Sequence, residues 1–535
     1  MNDLQRTGSR RTRKVPKEGI VYLVGAGPGD PGLITVRGLE CLRRCDVVVH
    51  DHLAHPSLLG EVPPAAERIY VGKEAGRHTL KQSEINRLLI ARARAGHRVV
   101  RLKGGDPLIF GRGGEEAEAL AAAGVKFEII PGVTAALGAA ACTGMPLTHR
   151  DAASSVTFVT GHEDPTQAES DIPWKLLGDA GGTLVFFMGV GRLEALCERL
   201  IASGRAPRTP AAVVEWATLP RQRTVTGTVG TIARRAREAS IRPPALLIVG
   251  EVVRLRRRLA WFESRPLFGR RIVVTRSRQQ ASDLRRRLEE LGAEAIEFPT
   301  IRLLPPRSEK RMREAARHLG RYDWVVFTSA NAVERFVAVV LEENRGDIRA
   351  FGRARIAAIG PATREAVERC HLAVALQPER YVAEEVVAAM ERAGELDGAR
   401  VLVPRAEQAR EVLPEGLRQA GARVDVVSVY RTVADKPANT REIIEDLLAG
   451  SIAMVTFTSS STAANFVRAV GAKRIKRIAE KTRFASIGPI TSQTLRKYGL
   501  QPAVEARDYT IDGLVAAISR SFGRRRQGKL GSQGK

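Results

Sequence analysis

The chain has 535 residues, 44% of them hydrophobic, which predicts two to four domains, and no apolar run approaches the ~18 residues that cross a bilayer. Its five cysteines include no C-x-x-C pair, so nothing indicates a disulfide framework or a metal site, and we expect a reducing, cytoplasmic setting. The formal charge of +26 is compatible with binding of nucleic acid, with binding of a small polyanionic substrate or with a generally basic surface. A content of 5% aromatic residues and helices that alternate Arg with Glu disfavour nucleic-acid binding.

After a basic extension at residues 1–18, the first predicted elements are a strand, a turn and a helix in VYLVGAGPGDPGLITVRGLE, residues 21–40. This layout is typical of a dinucleotide-binding site, but the third glycine of G-x-G-x-x-G would fall at Asp30. Asp30 would repel a pyrophosphate, and Pro28 lacks the N–H that a phosphate nest uses. The loop therefore predicts a ligand other than a polyphosphate, or only a tight turn.

Two more glycine-rich loops follow predicted strands. In VVRLKGGDPLIFGRGGEE, residues 99–116, the strand ends in Lys103, two glycines and Asp106, and PGVTAA follows at 131–136. Paired glycines allow a ligand to approach the backbone closely, and Asp106 can accept from a ribose hydroxyl or an ammonium group. Three such loops in order, with PLTHRD and MGV downstream, indicate a ligand site.

These motifs, together with GMPLTHRDAASSVTFVTGH and PALLIVGEVV, resemble the uroporphyrinogen-III C-methyltransferases over about residues 19–254. The resemblance implies a domain at 19–258 whose two lobes, about 19–133 and 150–255, enclose the methyl donor S-adenosylmethionine, and a homodimer formed through this half. VEWATLP at 214–220 lacks the Asn-Gly pair common in that family, and His50 replaces a usual Tyr. The donor contacts carried over by motif are Pro28, Gly104, Gly105, Asp106, Ile109, Thr134, Ala135, Met188, Ala217 and Ala245.

Asp51 and Lys73 match the acid/base positions proposed for this family. Methyl transfer from a sulfonium depends on in-line positioning in a dry pocket more than on a strong base. Other interpretations remain: Asp51 could cap a helix and Lys73 could lie on the surface. Asp51 also stands ~20 residues past the glycines, where a dinucleotide ribose would be bound, although Asp30 disfavours that reading.

The second half contains an internal repeat. Three blocks recur in the same order at offsets of 128–130 residues. They are RIVVTRSRQQ at 271 with RVLVPRAEQA at 400, DWVVFTSANAVERF at 323 with AMVTFTSSSTAANF at 453, and IAAIGPATREAV at 356 with FASIGPITSQTL at 484. The repeat predicts two copies of one α/β unit that face each other across a cleft, with hydroxyl-rich turns at 328–331 and 458–461 that cap helices or bind carboxylates. Pro266 and Gly269 predict a linker at 259–268, and the bare basic run at 523–535 predicts a disordered tail at 521–535.

The second half resembles the uroporphyrinogen-III synthases in five motifs: TRSRQQASDLRRRLEELGA, VVFTSANAV, AAIGPAT, VYRT and FASIGPITSQTL. The resemblance implies a synthase domain at 269–520. The resemblance implies closure of hydroxymethylbilane with inversion of its last ring and without a cofactor. Tyr430 matches the family's catalytic candidate, although it could be a packing residue between lobes. Thr491 would assist it, and the expected substrate contacts are Arg276, Ser329 and Ser459.

We therefore expect an α/β chain in which a two-lobed tetrapyrrole methylase fold precedes a two-lobed, internally duplicated synthase fold. Both resemblances name uroporphyrinogen III, whose eight carboxylates suit a cationic enzyme. The expected activity is synthesis of uroporphyrinogen III and its double methylation to precorrin-2, for sirohaem or cobalamin, with no metal, membrane or nucleic-acid partner. With no G-x-G-x-x-G, an NAD-dependent module is not expected. The alternative is a basic regulatory or nucleic-acid-binding fusion with one active half.

Overall fold

The computed structural model describes residues 18–72, 80–161, 172–179, 181–276, 278–394, 396–435, 437 and 439–530, with side chains for all of these except 278–282, 434 and 524–530. The chain divides into two compact units, Met1–Gly269 and Arg270–Lys535. Each unit contains two five-stranded sheets. Among the described residues, no helix combines the length and apolar character needed to cross a membrane.

The first unit alternates strands and helices in its first lobe and ends in a mixed α/β lobe. Its strands are β1 (Ile20–Gly25), β2 (Val47–His50), β3 (Glu67–Tyr70), β4 (Arg98–Lys103), β5 (Lys126–Ile130), β6 (Val156–Thr160), β7 (Thr183–Phe187), β8 (Pro210–Glu215), β9 (Arg223–Thr228) and β10 (Ala245–Val249). Its helices are α1 (Val36–Arg44), α2 (Gln82–Arg94), α3 (Gly113–Ala122), α4 (Ala135–Thr143), α5 (Trp174–Asp179), α6 (Leu193–Ala202), α7 (Ile232–Glu238) and α8 (Arg256–Leu259).

The first sheet of this unit has the order β3-β2-β4-β1-β5 and is parallel throughout. Val21, Leu23 and Val24 of β1 are fully buried, as expected for a parallel strand covered on both faces. The second sheet, β6-β7-β10-β8-β9, pairs β6 with β7 in parallel and its other neighbours antiparallel. The carboxyl ends of β1, β2, β4 and β5 therefore share one edge, which positions the loops that follow them.

The segment predicted as a linker packs within the first unit. Phe262 and Leu267 are 3% and 0% exposed. The Glu263 carboxylate accepts hydrogen bonds from Gln222 Nε2 at 2.9 Å and Thr224 Oγ1 at 2.7 Å. The burial of these two apolar side chains was not predicted, because the charged residues and Pro266 around them give the segment the composition of a linker.

The second unit contains the internally repeated half. Its strands are β11 (Arg271–Val274), β12 (Glu294–Glu297), β13 (Ile301–Leu304), β14 (Trp324–Phe327), β15 (Arg355–Ala358), β16 (Arg400–Ala406), β17 (Arg423–Ala434), β18 (Met454–Phe457), β19 (Arg483–Ser486) and β20 (Val504–Glu505). Its helices are α9 (Arg278–Glu290), α10 (Lys310–Arg317), α11 (Ala330–Glu343), α12 (Pro361–Arg369), α13 (Ala383–Arg392), α14 (Val412–Gln419), α15 (Thr440–Ala449), α16 (Ser460–Val470), α17 (Ala472–Ala479), α18 (Pro489–Lys497) and α19 (Ile511–Leu530).

The two repeats exchange strands, which corrects the prediction that each copy forms one lobe. The sheets have the orders β12-β11-β18-β19-β20 and β13-β17-β16-β14-β15. The opening strands of the first copy, β11 and β12, thus join the later strands of the second copy, while β16 and β17 join β14 and β15 of the first. Sequence similarity reveals the duplication but carries no information about which copy supplies each partner strand, because strand pairing here is non-local.

The last helix, α19, includes residues 521–530, which the sequence analysis expected to be disordered. Leu514, Ile518 and Phe522 recur every four residues and are 0%, 0% and 8% exposed. This spacing places them on one face of a helix, so the apolar pattern extends past residue 520.

Candidate functional site

Three glycine-containing loops pack against one another at the carboxyl edge of the parallel sheet. Gly27 N–H donates to Gly105 O at 3.2 Å, and Gly105 N–H donates to Gly27 O at 2.7 Å. A Cβ on Gly132 would lie 2.3 Å from Gly105 O, and one on Gly25 would lie 2.6 Å from Gly132 Cα. Both contacts involve backbone atoms that cannot swing aside, so the glycines allow three chain segments to meet directly.

Asp30 has a local role in the turn after β1. Its Oδ1 accepts from Gly32 N–H at 2.8 Å and caps the short 3₁₀ helix Pro31–Leu33. Its own N–H donates to Thr218 Oγ1 in the second lobe at 2.9 Å. The carboxylate that breaks the dinucleotide fingerprint therefore serves the turn, while the backbone beside it connects the two lobes of the unit.

A cavity of about 600 Å³ lies between these two lobes. The first lobe contributes the loops after β1, β2, β4 and β5, and the second contributes residues around the ends of β7 and β8 and the start of β10. Asp51 lines the cavity, whereas Lys73 lies outside the described residues. All ten residues predicted to contact the methyl donor line it: Pro28, Gly104, Gly105, Asp106, Ile109, Thr134, Ala135, Met188, Ala217 and Ala245.

Asp106 joins two of the loops while it lines the cavity. Its Oδ1 accepts from Leu108 N–H at 2.8 Å, and its Oδ2 accepts from Gly132 N–H at 2.9 Å. A carboxylate has about four acceptor positions, so both oxygens can still accept from a ligand. The residue therefore has a structural role in addition to the binding role predicted for it.

Unusual backbone geometry is concentrated around the cavity. Phe110, Arg112, Met188 and Trp216 all line it, and their φ angles are 52°, 60°, 55° and 47°. Positive φ values are uncommon outside glycine and cost free energy that the surrounding structure must offset. Met188 was predicted from the MGV motif and Trp216 from its place beside Ala217 in VEWATLP, whereas no sequence signal singled out Phe110 or Arg112.

The wall beneath Asp51 holds a buried charged cluster that the sequence analysis missed. Asp51 Oδ2 lies 3.3 Å from Arg101 Nη2, and Asp51 Oδ1 accepts from Leu53 N–H at 3.0 Å, which caps a turn, not a helix. Arg101 Nε and Lys103 Nζ lie 3.2 Å and 3.0 Å from Glu116 Oε1. Burial lowers the pKa of Lys103, and the Arg101 cation lowers it further. The sequence signal that could have indicated this cluster is the pair of cations at alternate positions of an otherwise apolar strand, VVRLK.

In the second unit, Tyr430 and Ser329 lie together at one sheet edge. Tyr430 is 8% exposed, and its hydroxyl lies 3.3 Å from Ser329 Oγ. Ser329 also accepts from Ala332 N–H at 3.2 Å and so caps α11. The predicted catalytic tyrosine therefore has a hydroxyl partner on the turn after β14.

The other predicted residues of this unit lie at the edge of its first sheet. Ser459 caps α16 by accepting from Thr462 N–H at 3.2 Å, and Thr491 is 4% exposed in the first turn of α18. Arg276 follows β11, and burial lowers its pKa. Within the described residues, no hydrogen bond joins Ser459 or Thr491 to Tyr430, so the predicted residues form two groups, one at each sheet.

A fourth repeated block was missed. ERYVAEEVVAAM at 379 and RDYTIDGLVAAI at 507 have the offset of 128 found for the third block. A Cβ on Gly360 would lie 3.2 Å from the Tyr381 ring, and one on Gly488 would lie 3.0 Å from the Tyr509 ring. Each lobe therefore places an exposed tyrosine over the glycine that begins a helix.

Comparison with known proteins assigns each half of the chain to a protein family. A family model for tetrapyrrole (corrin/porphyrin) methylases matches residues 20–233, and one for uroporphyrinogen-III synthase HemD matches 282–516. A porphyrin biosynthesis protein HemD of Ruminiclostridium josui is 37% identical over 500 residues, which cover 93% of this chain and 97% of that protein. The chain belongs to this family of tetrapyrrole biosynthesis proteins, which join a methylase to a synthase. It is a methyltransferase in its first half and a lyase in its second.

Other relatives match at higher identity over a smaller share of the chain. A uroporphyrinogen-III C-methyltransferase of Bacillus subtilis is 41% identical over 68% of this chain and 74% of that protein. A siroheme synthase of Stutzerimonas stutzeri is 52% identical over 47% of this chain. The matched region spans about half (54%) of that relative's length. A Thermus thermophilus uroporphyrin-III C-methyl transferase, solved with S-adenyl homocysteine, is 43% identical and covers 44% of this chain and 100% of its own, with a TM-score of 0.39.

Proposed function

We propose that the second unit closes hydroxymethylbilane to uroporphyrinogen III and that the first unit methylates this product twice, with S-adenosylmethionine, to give precorrin-2. For the first unit, the observation that carries the proposal is one cavity lined by every donor contact predicted from the motifs. The relative solved with S-adenyl homocysteine and the siroheme synthase relative support the choice of donor and a sirohaem product, with cobalamin as the alternative.

The residues around the cavity fit the proposed donor. Backbone at Gly104 and Gly105 can approach a ligand closely, Asp106 offers acceptors, and Ile109 and Met188 offer apolar surface. When bound, the donor supplies an electrophilic methyl group on a sulfonium. The chain's own contribution is to hold donor and acceptor carbon in line and to exclude water, which is the main requirement of this chemistry.

Charged groups on the cavity wall fit a polycarboxylate substrate. Arg101, Lys103, Arg112 and Arg221 line the cavity and can pair with substrate carboxylates. Asp51, held by Arg101 at 3.3 Å, would accept the proton that a pyrrole ring must release after methylation. The acid/base role of Lys73 stays a prediction from the resemblance.

For the second unit we propose that Tyr430 donates a hydrogen bond to the departing hydroxyl group. A neutral donor assists this departure, and the Ser329 hydroxyl at 3.3 Å can orient it. Thr491 and Ser459 would contact the substrate from the other sheet, and Arg276 would hold a carboxylate. The independence of this half from a cofactor, the homodimer, the domain limits and the cytoplasmic setting stay predictions.

The test uses the full chain with hydroxymethylbilane and S-adenosylmethionine, with products separated and weighed by mass spectrometry. A doubly methylated type III product is the expected result. Recovery of uroporphyrinogen I alone would overturn the synthase assignment, and unmethylated or singly methylated uroporphyrinogen III would overturn the double methylation. Tight duplex DNA binding without turnover, with log K falling about 0.9 per phosphate contact against log salt, would favour the nucleic-acid alternative.

A further inference from the structure

Glu116 lies behind the cavity wall and collects three donors on one oxygen. Its side chain is 0% exposed in the first turn of α3. Arg101 Nε, Lys103 Nζ and Gln82 Nε2 all donate to Glu116 Oε1, at 3.2 Å, 3.0 Å and 3.1 Å. Among the described residues, no group bonds to the buried Oε2. One carboxylate oxygen therefore connects side chains from β4 and α2.

The charges explain why an anion is needed at this position. The Arg101 and Lys103 side chains are 6% and 5% exposed and stand at alternate positions of β4, so they point to the same face of the sheet. Two neighbouring buried cations repel each other and are costly unless paired. Glu116 accepts from both cations, and Asp51 pairs with a different nitrogen of Arg101, Nη2, at 3.3 Å.

The arrangement separates the groups that can reach a ligand from the group that holds them. Arg101, Lys103, Gln82 and Asp51 line the cavity, whereas Glu116 is absent from its lining. Lys103 has three N–H donors, of which Glu116 accepts one. Glu116 therefore does not contact a ligand in the cavity and acts on the side chains that line it.

We propose that Glu116 is a positioning residue of the methyltransferase half, which fixes Arg101 so that it orients Asp51 and fixes Lys103 so that its ammonium meets a carboxylate of the tetrapyrrole. The inference rests on the proposed function, because it assumes that a tetrapyrrole occupies this part of the cavity. It adds a residue that the motif resemblance did not assign and gives a cause for the two cations in β4.

The principal test is Glu116→Gln, which keeps the side chain's size and removes its charge. The kcat/KM for methylation of supplied uroporphyrinogen III should fall about 100-fold, since displacement of a positioned group by about 1 Å has effects of this size. S-adenosylmethionine affinity, measured by calorimetry, should change less than about twofold, because Asp106 and the glycine loops are retained. The matched control is Glu118→Gln, an exposed glutamate of the same helix, which should match the wild type.

A pH profile distinguishes positioning from a role in folding alone. Burial and the Arg101 cation lower the pKa of Lys103, while Glu116 and Asp51 raise it; Gln82 is neutral. Removing the Glu116 charge lowers that pKa further, so Lys103 should lose its proton at a lower pH. The rise in KM for uroporphyrinogen III on the alkaline side should accordingly begin at lower pH in Glu116→Gln than in the wild type.

A second variant covers the case in which Glu116→Gln does not fold, which thermal unfolding and retained ring closure by the other half would show. Lys103→Met removes one cation and leaves the Arg101–Glu116 pair, and it should raise the KM for uroporphyrinogen III at least tenfold. Wild-type kinetics in either folded variant would overturn the proposal, as would a uniform loss in Glu116→Gln with an unshifted pH profile. If the wild type itself methylated nothing, the proposed function would fail instead.

Discussion

The two halves build their predicted sites differently, the first from closely packed backbone and the second from side chains. In the first unit, backbone segments meet at distances that only glycine permits, as between Gly132 and Gly105. In the second, the predicted residues are hydroxyl side chains such as Ser329 and Ser459 that cap helices. Ser, Thr, Asp and Asn substitute for one another at caps, so such a site leaves a variable motif, whereas a backbone-built site leaves invariant spacing.

The largest effect should come from adding one carbon to the backbone-built site. In Gly132→Ala the new Cβ would lie 2.3 Å from Gly105 O, so the loops must separate. Methylation should fall by more than about 100-fold, because the displaced loops line the donor cavity, while ring closure should be unchanged. Gly114→Ala is the control, since a Cβ there meets nothing within 4 Å. Wild-type methylation by Gly132→Ala would show that close packing of the loops is not required.

Removal of one hydroxyl tests the half built from side chains. Tyr430→Phe keeps the ring's packing and should slow ring closure by about tens to hundreds of fold, because general-acid assistance contributes ~10²–10⁴. Methylation of supplied uroporphyrinogen III should persist. Ser329→Ala leaves the Tyr430 hydroxyl in place and should have a smaller effect. If ring closure by Tyr430→Phe proceeds at wild-type speed, the tyrosine only packs between elements and Thr491 becomes the next candidate.

An intermediate effect is expected at Asp106, whose side chain bonds to the backbone of the glycine loops and lines the cavity. A hydrogen bond to a charged group contributes ~1.5–3 kcal/mol, so Asp106→Ala should weaken S-adenosylmethionine binding about tenfold or more. The same change also frees Gly132 N–H and Leu108 N–H. Asp106→Asn keeps an acceptor and should bind the donor with intermediate affinity in calorimetry. Equal affinity of all three proteins would assign Asp106 to the loops alone.

What the sequence could predict follows the range of the interactions involved. The buried run of β1, the glycine spacing and the duplication are local patterns, and each was visible in the sequence. The strand exchange between the repeats was not visible, because the paired residues Ile272 and Met454 are 182 positions apart and neither strand's sequence identifies its partner. Arg101 and Glu116 were missed for a related reason. A buried charge contradicts the apolar pattern of its element, and only the fold shows the charge that compensates it.

The smallest effect should follow from separating the halves after Gly269, where the two compact units divide. Fragments 1–269 and 270–535 should each keep their activity within about twofold, because each is a compact unit with its own two sheets. A cut after Ser264 should be worse. It removes Leu267, which is 0% exposed, and Arg265, whose guanidinium lies 3.9 Å from the Phe262 ring. Loss of a buried leucine side chain costs about 2–5 kcal/mol, so fragment 1–264 should unfold at a clearly lower temperature than fragment 1–269. Aggregation of fragment 1–269, with the intact chain soluble, would show that the first half depends on the second for its stability.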